Sequence, residues 1–218
     1  DIMIEPYIAA IIQPELDVAR NRDDIMRNLD RYCKLIDFTV GYFWEHPCKV
    51  IAFPEYFMQG VTTPGKGEKQ ISGFMDVAIE IPGPDTDVPA EKAREYGIDI
   101  AGGGLVERSP EWPDRWFNTA IIIGPDGYVI LKYHKWHINA SLGLGTSPHD
   151  IFDEYCEHFG GGIKDLFPVI DTEIGKLGTM TCHDGCTPEV SRALGYNGAE
   201  IICHPGAIQE VDGVSQPW

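Results

Sequence analysis

Apolar positions fall into two kinds of pattern along the first part of the chain. Residues 7–12 are a continuous apolar run, which is typical of a strand buried on both faces, and residues 49–53 predict a second strand. Between them, residues 23–44 repeat apolar side chains at intervals of three and four, which predicts a long amphipathic helix. His46-Pro47 is expected to end that helix. The chain therefore begins with strand, helix and strand.

The middle of the chain continues this alternation. Residues 60–75 are rich in Gly, Thr and Lys and predict a surface loop, followed by a short extended piece over 78–82 and a turn at Gly83-Pro84. A helix over 89–96, closed by Gly97, leads into a third strand. The later elements are this strand at 98–101 with its glycine-lined continuation to 107, and a hairpin of 117–123 and 128–133 around the turn 124–127.

The last third of the chain is organised around a strand-to-helix turn. Residues 136–166 show little periodicity and predict a long loop, and strands are expected at 167–170 and 177–181. Thr187 is a suitable N-cap and Pro188 a suitable first residue for a helix that closes at Asn197-Gly198. A strand over 199–203 follows. The pattern as a whole predicts an α/β fold with a mixed sheet whose helices cover a face.

Composition narrows the class of function. The chain has 218 residues, with 17 Lys and Arg against 34 Asp and Glu, so its net charge is −17. Such an acidic surface argues against nucleic acid and against anionic membranes, and it suits a small neutral substrate. No run is long and apolar enough to span a bilayer. Six cysteines are too few for a disulfide scaffold, which favours thiols in a reducing cytosol.

Cys182 lies where a predicted strand turns sharply into a helix. A thiol at such a turn is lifted out of the sheet, and its anion lies near a helix N-terminus. Both effects favour a thiolate nucleophile. The alternative is a buried structural cysteine, and the turn alone does not decide between them.

Two further polar residues follow predicted strands, at the edge of the sheet where catalytic groups are expected. Glu55 lies two residues after the second strand, and Lys135 lies two residues after the hairpin. A buried carboxylate can take the proton of a cysteine, and an ammonium beside it can stabilise a thiolate and then an oxyanion. Glu55, Lys135 and Cys182 are thus a complete set for attack on a carbonyl or nitrile carbon. Each residue alone would be read as a surface or structural side chain.

These residues lie in three blocks that resemble the catalytic blocks of the nitrilase (carbon–nitrogen hydrolase) superfamily. The order and spacing of the blocks match along nearly the whole chain. The blocks are Phe53-Pro-Glu-Tyr56; Asn118-Thr-Ala-Ile with Gly124-Pro-Asp-Gly127 and Lys132-Tyr-His-Lys135; and Cys182-His-Asp-Gly185 with Pro188-Glu189 and Gly198-Ala-Glu-Ile-Ile.

The resemblance implies an α-β-β-α sandwich and a homo-oligomer formed by packing sandwiches together. It implies Glu55 as general base, Lys135 as oxyanion stabiliser and Cys182 as nucleophile, with no metal and no cofactor. The family's second glutamate lies between the lysine and the cysteine. Here the spacing offers Glu154, with Glu157 as the alternative. The family core also continues past the last predicted strand, so we expect residues 1–218 to be one such domain that lacks or does not show its C-terminal part.

The substrate class implied by the resemblance is a small linear amide. Cys182-His-Asp-Gly185 is similar to the Cys-Asp-Asp-Gly of aliphatic amidases and formamidases, and His183 departs from it. We expect Tyr56, His183 and Glu157 to contact the substrate. Nitriles and N-carbamoyl amino acids remain alternatives on the same three residues. A carbamoyl substrate requires an arginine to bind its carboxylate, and the candidates are Arg192 and Arg115.

Two alternative functions belong to other classes of protein: a metal-binding protein and a scaffold without catalytic activity. Thiols and imidazoles that could bind zinc occur at Cys182-His183, Cys186 and Cys203-His204, although no second Cys-X-X-Cys pair completes a structural site. Phosphate binding by Gly102-Gly-Gly104 is a weaker option, because the Lys-Ser/Thr of a P-loop is missing. The presence of all three catalytic residue types argues against an inactive scaffold.

Overall fold

The computed structural model describes residues 5–15, 17–60, 74–138 and 145–207. Over these residues eight strands and five α-helices follow one another, with two 3-10 turns. In chain order they are β1 (Ile8–Ile11), α1 (Arg22–Tyr42), β2 (Cys48–Glu55), α2 (Pro84–Tyr96), β3 (Asp99–Glu107), β4 (Phe117–Ile123), β5 (Val129–His134), a 3-10 turn (Pro148–Ile151), α3 (Phe152–Phe159), α4 (Ile163–Leu166), β6 (Val169–Thr172), β7 (Gly175–Thr179), a second 3-10 turn (Cys182–Cys186), α5 (Pro188–Tyr196) and β8 (Ile201–Cys203).

The described strands form two mixed sheets. The larger sheet has the order β1-β2-β3-β4-β5, in which β1, β2 and β3 are parallel and β4 and β5 run antiparallel to their neighbours. The smaller sheet has the order β6-β7-β8, with β7 and β8 parallel. The carboxyl ends of β2 and β5 and the segment after β7 carry Glu55, Lys135 and Cys182.

Alternation along β2 shows how the two sheets and the helices are layered. Ile51 and Phe53 pack in a core with apolar residues of α1 and α2, among them Leu29 and Ala93. Val50 faces the opposite way and packs in a second core with residues of the smaller sheet and of α5. In that second core are Leu177 of β7, Cys203 of β8, and Val190 and Leu194 of α5.

The order of layers is therefore helices, larger sheet, smaller sheet and helix. This arrangement is an α-β-β-α sandwich, and the expected fold class is confirmed. The two cores explain why β3 and β4 are buried along their whole length, since apolar layers cover both faces of these strands.

The second strand extends two residues beyond its predicted end. The apolar run stops at Phe53, but β2 continues through Pro54 to Glu55. Its pairing with β3 shifts register between Ala52 and Glu55, and this irregularity accommodates a proline, which has no N–H to donate to the ladder. Glu55 is thus held by the sheet itself, opposite Gly103.

The helix predicted over 89–96 begins earlier, at Pro84, and the turn expected at Gly83-Pro84 is its start. The backbone N–H of Gly83 donates to the hydroxyl of Thr86, and that hydroxyl donates to the carbonyl of Gly83. Both Pro84 and Pro89 suit a first helical turn. The hydrogen bonds between Gly83 and Thr86 stabilise a helix start at Pro84, so the helix begins there and not at Pro89.

The long loop predicted over 136–166 is only partly a loop. Within it lie the first 3-10 turn and the short helices α3 and α4. Helices of eight and four residues are too short to show a repeated apolar period, so the pattern did not reveal them. Most of the loop expected at 60–75 lies outside the described residues. In the part of the chain that the structure describes, no helix has the length and apolar character needed to cross a bilayer.

Candidate active site

Glu55 is the centre of the candidate site. Glu55 is 2% exposed, and both of its carboxylate oxygens accept hydrogen bonds. Oε1 accepts from Nζ of Lys135 at 2.8 Å and from Nδ2 of Asn118 at 2.8 Å. Oε2 accepts from the backbone N–H of Ala207 at 3.0 Å. A buried carboxylate in this environment is compensated by one ammonium and two neutral donors.

Asn118 fixes the orientation of that carboxylate. Its amide nitrogen donates both to Glu55 and, at 3.0 Å, to the hydroxyl of Tyr56. Tyr56 has a φ of +62° and is 1% exposed, and burial together with the nearby Glu55 raises the pKa of its phenol well above the usual range. Tyr56 therefore stays protonated, and its hydroxyl lies against the same polar cluster.

Lys135 approaches Glu55 from the end of β5. Its side chain is 5% exposed, and its backbone N–H donates to the carbonyl of Asn118 at 2.9 Å. This bond continues the pairing of β4 with β5 by one residue beyond the strand. The lysine stem is thereby anchored, so the ammonium is presented to the site in one position.

A glycine makes room for the buried carboxylate. Gly104 of β3 has a φ of +65°, and a Cβ there would lie 2.1 Å from Cγ of Glu55. All three positions of the run 102–104 serve close packing, because a Cβ would lie 2.3 Å from the ring of Phe57 at Gly102 and 2.4 Å from the ring of Pro205 at Gly103. Close packing accounts for these glycines without phosphate binding.

Cys182 begins the second 3-10 turn, directly after the short segment that follows β7. Its φ is +45°, an unfavourable backbone conformation for a residue other than glycine. Two bonds hold it there: its N–H donates to the carbonyl of Pro205 at 2.8 Å, and its carbonyl accepts from Nε2 of His204 at 2.9 Å. The strained turn raises the side chain out of the sheet edge and toward Glu55.

The thiol of Cys182 is protonated at neutral pH. Burial raises its pKa most, the negative charge of Glu55 raises it further, and Lys135 lowers it; the result is a pKa of about 11. A hydrogen bond with the carboxylate of Glu55 raises it, and the N–H of Ala207 lowers it. The thiolate expected from the turn is therefore not the resting form, because burial and the adjacent anion outweigh the cationic neighbour.

A buried carboxylate braces the turn that carries Cys182. Asp184 has no exposed surface and accepts from the hydroxyl of Tyr133 at 2.9 Å and from the N–H of Thr181 at 3.1 Å. Its other oxygen accepts from the backbone N–H of His137 at 2.8 Å and lies 3.1 Å from Nδ1 of that ring. Asp184 thus ties the segment of the nucleophile to the segment that follows Lys135.

The structure also locates the other site residues that the sequence predicted. His183 follows Cys182 and is half-buried. Glu154 is exposed on α3 and accepts a hydrogen bond from the indole N–H of Trp112 at 3.2 Å. Glu157 is also exposed on α3. Neither carboxylate forms a hydrogen bond or ion pair with Glu55 or Lys135, and the residue that α3 buries in the second core is Tyr155.

The structure also shows the surroundings of the residues on which the metal and carbamoyl alternatives depend. Among the described residues, no group of three or more His, Cys, Asp or Glu side chains is placed to hold a metal ion. Arg192 is 73% exposed and faces Glu189 at 3.6 Å, and Arg115 is exposed.

Sequence reasoning did not assign a role to Asn118, Asp184 or Ala207. The first two lie inside the quoted motifs, so their position in those blocks was the available signal. Ala207 acts through its backbone N–H, which no side-chain pattern reveals.

Comparison with known proteins agrees with this fold. The sequence profile of the carbon–nitrogen hydrolase family matches residues 8–218. A formamidase from Bacillus cereus strain Q1 is 33% identical over 208 residues, which cover 92% of this chain and 54% of that protein. A formamidase from Bacillus anthracis strain A0248 is 32% identical over 208 residues, which again cover 92% of this chain and 54% of that protein. The chain spans about half the length of the curated relatives it matches.

Solved structures share the fold at lower identity. Nit3 from Saccharomyces cerevisiae, a member of branch 10 of the nitrilase superfamily, gives a TM-score of 0.66 at 23% identity, covering 91% of this chain and 65% of the other. An amidase from Nesterenkonia sp. gives a TM-score of 0.62 at 19% identity, covering 93% and 66%. With a family profile that matches nearly the whole sequence, the predicted resemblance is confirmed, and the chain belongs to the carbon–nitrogen hydrolase family.

Proposed function

We propose that this chain is an amidohydrolase that cleaves the C–N bond of a small linear amide through a thioester on Cys182. The observation that carries the proposal is the junction of three groups: Glu55 lies 2.8 Å from the ammonium of Lys135 and hydrogen-bonds the thiol of Cys182. Family membership and the names of the curated formamidases support the amide as substrate class.

The first proposed step uses the proton that the structure keeps on sulfur. Because the pKa of Cys182 is raised to about 11, the thiol needs a base as it attacks, and Glu55 is its hydrogen-bonded neighbour. Glu55 takes the proton while sulfur bonds to the amide carbon. The carbonyl electron pair moves to oxygen, where Lys135 and the backbone N–H of His183 stabilise it.

The later steps return that proton and release the acid. Glu55 protonates the nitrogen, the C–N bond breaks, and ammonia or an amine leaves a thioester on Cys182. Glu55 then takes a proton from water as the water attacks the thioester, and the sulfur regains a proton when the acid departs. Glu154 and Glu157 have no part in this proposal, because both are exposed on α3.

An ammonia-release screen tests the proposal directly. Formamide, short aliphatic amides, carbamoyl amino acids and nitriles are offered to the wild-type protein, to Cys182→Ala and to the matched control Cys186→Ala, whose thiol is exposed in the same turn. We expect release from a small amide, retained in Cys186→Ala and abolished in Cys182→Ala. Ammonia release by Cys182→Ala at the wild-type rate would exclude the scheme, and release from nitriles alone would replace the amide with the nitrile as substrate.

We also propose a homo-oligomer in a reducing compartment such as the cytosol. The assembly is what membership of the family suggests, and aromatic side chains exposed near the end of α1, such as Phe38 and Trp44, offer apolar surface for it. All six cysteines are free, which supports a reducing environment. Sedimentation equilibrium tests the assembly, and a single species of monomer mass would contradict it.

A further inference from the structure

The peptide bond between Cys182 and His183 occupies a special place beside the thiol. The backbone donors around it are already committed. The N–H of Cys182 donates to Pro205, that of Asp184 donates to Thr181, and that of Ala207 donates to Glu55. The N–H of His183 belongs to the peptide that follows the nucleophile, and the proposed mechanism assigns it to the oxyanion.

The carbonyl of that same peptide bond is held by the imidazole of the residue that directly follows β8. Nε2 of His204 lies 2.9 Å from the carbonyl oxygen of Cys182. A carbonyl oxygen only accepts, so Nε2 carries the proton and donates it. The ring is seated against Gly185, where a Cβ would lie 2.4 Å from Cε1 of His204. A glycine in the turn therefore makes room for this imidazole.

We propose that His204 is a positioning residue for the oxyanion site, acting through the Cys182–His183 peptide bond. The carbonyl and the N–H of one peptide unit lie in a plane and point in opposite directions, so a hydrogen bond that fixes the oxygen also fixes the direction of the N–H. The same bond polarises the unit and strengthens the N–H as a donor. The inference rests on the proposed function and adds a residue to it.

The contribution of His204 is confined to the step in which an oxyanion forms. Sulfur bonds to the carbonyl carbon, the carbonyl electron pair moves to oxygen, and that oxygen takes hydrogen bonds from His183 and Lys135. His204 touches neither the sulfur nor the oxyanion in this scheme, and it gains and loses no proton. A defect in His204 should therefore affect oxyanion stabilisation and leave the thiol itself unchanged.

Three variants separate this role from a merely structural one. His204→Phe keeps a ring but removes the donor, His204→Gln retains an amide N–H at the position of Nε2, and His46→Phe is the control at an exposed histidine. Removal of an oxyanion donor itself costs about 10²–10³ in kcat, so loss of its support should cost about tenfold. We expect His204→Phe to lower kcat about tenfold with KM within about twofold, and His204→Gln to recover most of the loss.

Two probes that need no amide turnover complete the test. Butyraldehyde forms a hemithioacetal with Cys182, whose oxygen occupies the oxyanion position, whereas iodoacetamide alkylates the sulfur without forming an oxyanion. In His204→Phe we expect butyraldehyde affinity to fall about tenfold, in parallel with kcat, and the alkylation rate at one fixed alkaline pH to stay within about twofold. Equal losses in alkylation and in aldehyde affinity, or no loss in either, would overturn the proposal.

A variant on the opposite side of the contact gives an independent check. Gly185→Ala displaces the imidazole without altering it, so it should reproduce the aldehyde defect of His204→Phe, and adding His204→Phe to it should cause little further loss. Fully additive losses would contradict a shared route. If no amide is hydrolysed by the wild-type protein, the proposed function fails, while the aldehyde and alkylation measurements still decide the role of His204.

Discussion

The larger sheet contains two pairs of a buried carboxylate and a lysine, and the distance from the ammonium nitrogen to the carboxylate oxygen is the same in both. Glu55 and Lys135 are 2.8 Å apart, and so are Glu107 and Lys132. Glu55 ends β2, Glu107 ends β3, and the two lysines lie three residues apart around the end of β5. The two carboxylates are 2% and 1% exposed. Proximity and burial therefore do not by themselves distinguish a catalytic pair from a structural one.

The partners of Glu107 keep it ionised at neutral pH. Its oxygens accept hydrogen bonds from the ammonium of Lys132 at 2.8 Å and from the hydroxyl of Thr119 at 2.6 Å, and one of them lies 3.0 Å from Nε2 of His134. Burial alone would raise its pKa, but the bonds and charges of His134 and Lys132 outweigh burial and lower the pKa to about 2. Thr119 lies on β4, and Lys132 and His134 lie on β5, so these contacts cross-link β3, β4 and β5.

Glu55 differs in having a titratable nucleophile as a neighbour. Alongside donors of the kind that Glu107 has, it contacts the thiol of Cys182, whose pKa its own charge raises. A proton can therefore move between sulfur and carboxylate within one hydrogen bond. The comparison teaches that one partner distinguishes the two carboxylates. Glu55 contacts a thiol and can transfer a proton to and from it, whereas Glu107 contacts a histidine and links strands.

The largest expected effect breaks the catalytic pair alone. Glu55→Gln keeps the shape of the side chain but removes the base, and we expect kcat for amide hydrolysis to fall by about 10³-fold. Glu107→Gln should leave kcat per folded molecule within about threefold, because Glu107 takes no part in proton transfer in this scheme. Initial rates of ammonia release, normalised to folded protein, compare the two. Similar losses in both variants would remove the distinction between the pairs.

The second effect breaks the structural pair. Glu107→Gln leaves the buried His134 and the ammonium of Lys132 without their anion, so the free energy of unfolding should fall by about 3 kcal/mol. Urea denaturation followed by circular dichroism measures this. Glu55→Gln should cost less, because its site must accept changes of charge during turnover. A larger loss of stability in Glu55→Gln would reverse the assignment.

The pH dependence of stability sharpens the same contrast. The folded pKa of Glu107 is about 2, below its ordinary value of 4.5. Its contribution to stability is therefore complete above about pH 5 and is lost as the pH falls toward 2. Between about pH 5 and pH 3 the wild-type protein should lose about 2 kcal/mol more than Glu107→Gln. Parallel pH profiles for the two proteins would contradict the lowered pKa.

The smallest effect concerns the brace between the nucleophile and the lysine segments. Asp184→Asn removes acceptors that Tyr133, Thr181 and His137 use, so stability should fall by about 1.5 kcal/mol and kcat by several fold. Asp171→Asn, at a side chain 84% exposed on β6, is the control and should be silent in both assays. Urea titrations and ammonia release report both quantities. A silent Asp184→Asn would show that the brace is dispensable.

The fold was largely predictable because burial on both faces leaves a strong pattern. The runs at β2 and β4 and the apolar stripe of α1 are direct consequences of the two cores. The expectation that β1 is buried on both faces was wrong: β1 is an edge strand whose burial alternates, and Ile11 is 76% exposed. The boundaries were less predictable where local chemistry competes with the pattern, as at Pro54 and at Gly83. The division into two sheets followed from the family resemblance and not from periodicity, since strand patterns do not tell which strands pair.

The site was predictable in its residues and not in its electrostatics. Glu55, Lys135 and Cys182 stand in recognisable motifs, and the structure brings all three together. The second glutamate was assigned by spacing along a segment whose helix α3 was not foreseen, and Glu154 is exposed on that helix, where it accepts a hydrogen bond from Trp112. The raised pKa of Cys182 depends on burial and on the distance to Glu55, and neither can be read from order along the chain.

The most direct measurement is a titration of the Cys182 thiolate by its ultraviolet absorbance, taken as the difference from Cys182→Ala. The account predicts a pKa of about 11 in the wild-type protein, and a lower pKa in Glu55→Gln, because the variant lacks the anion that raises it while Lys135 remains. Glu55→Gln would then hold more thiolate and still hydrolyse amides more slowly. A thiol that titrates below its ordinary pKa in the wild-type protein, or an unchanged pKa in Glu55→Gln, would contradict the claim that Glu55 controls the proton of Cys182.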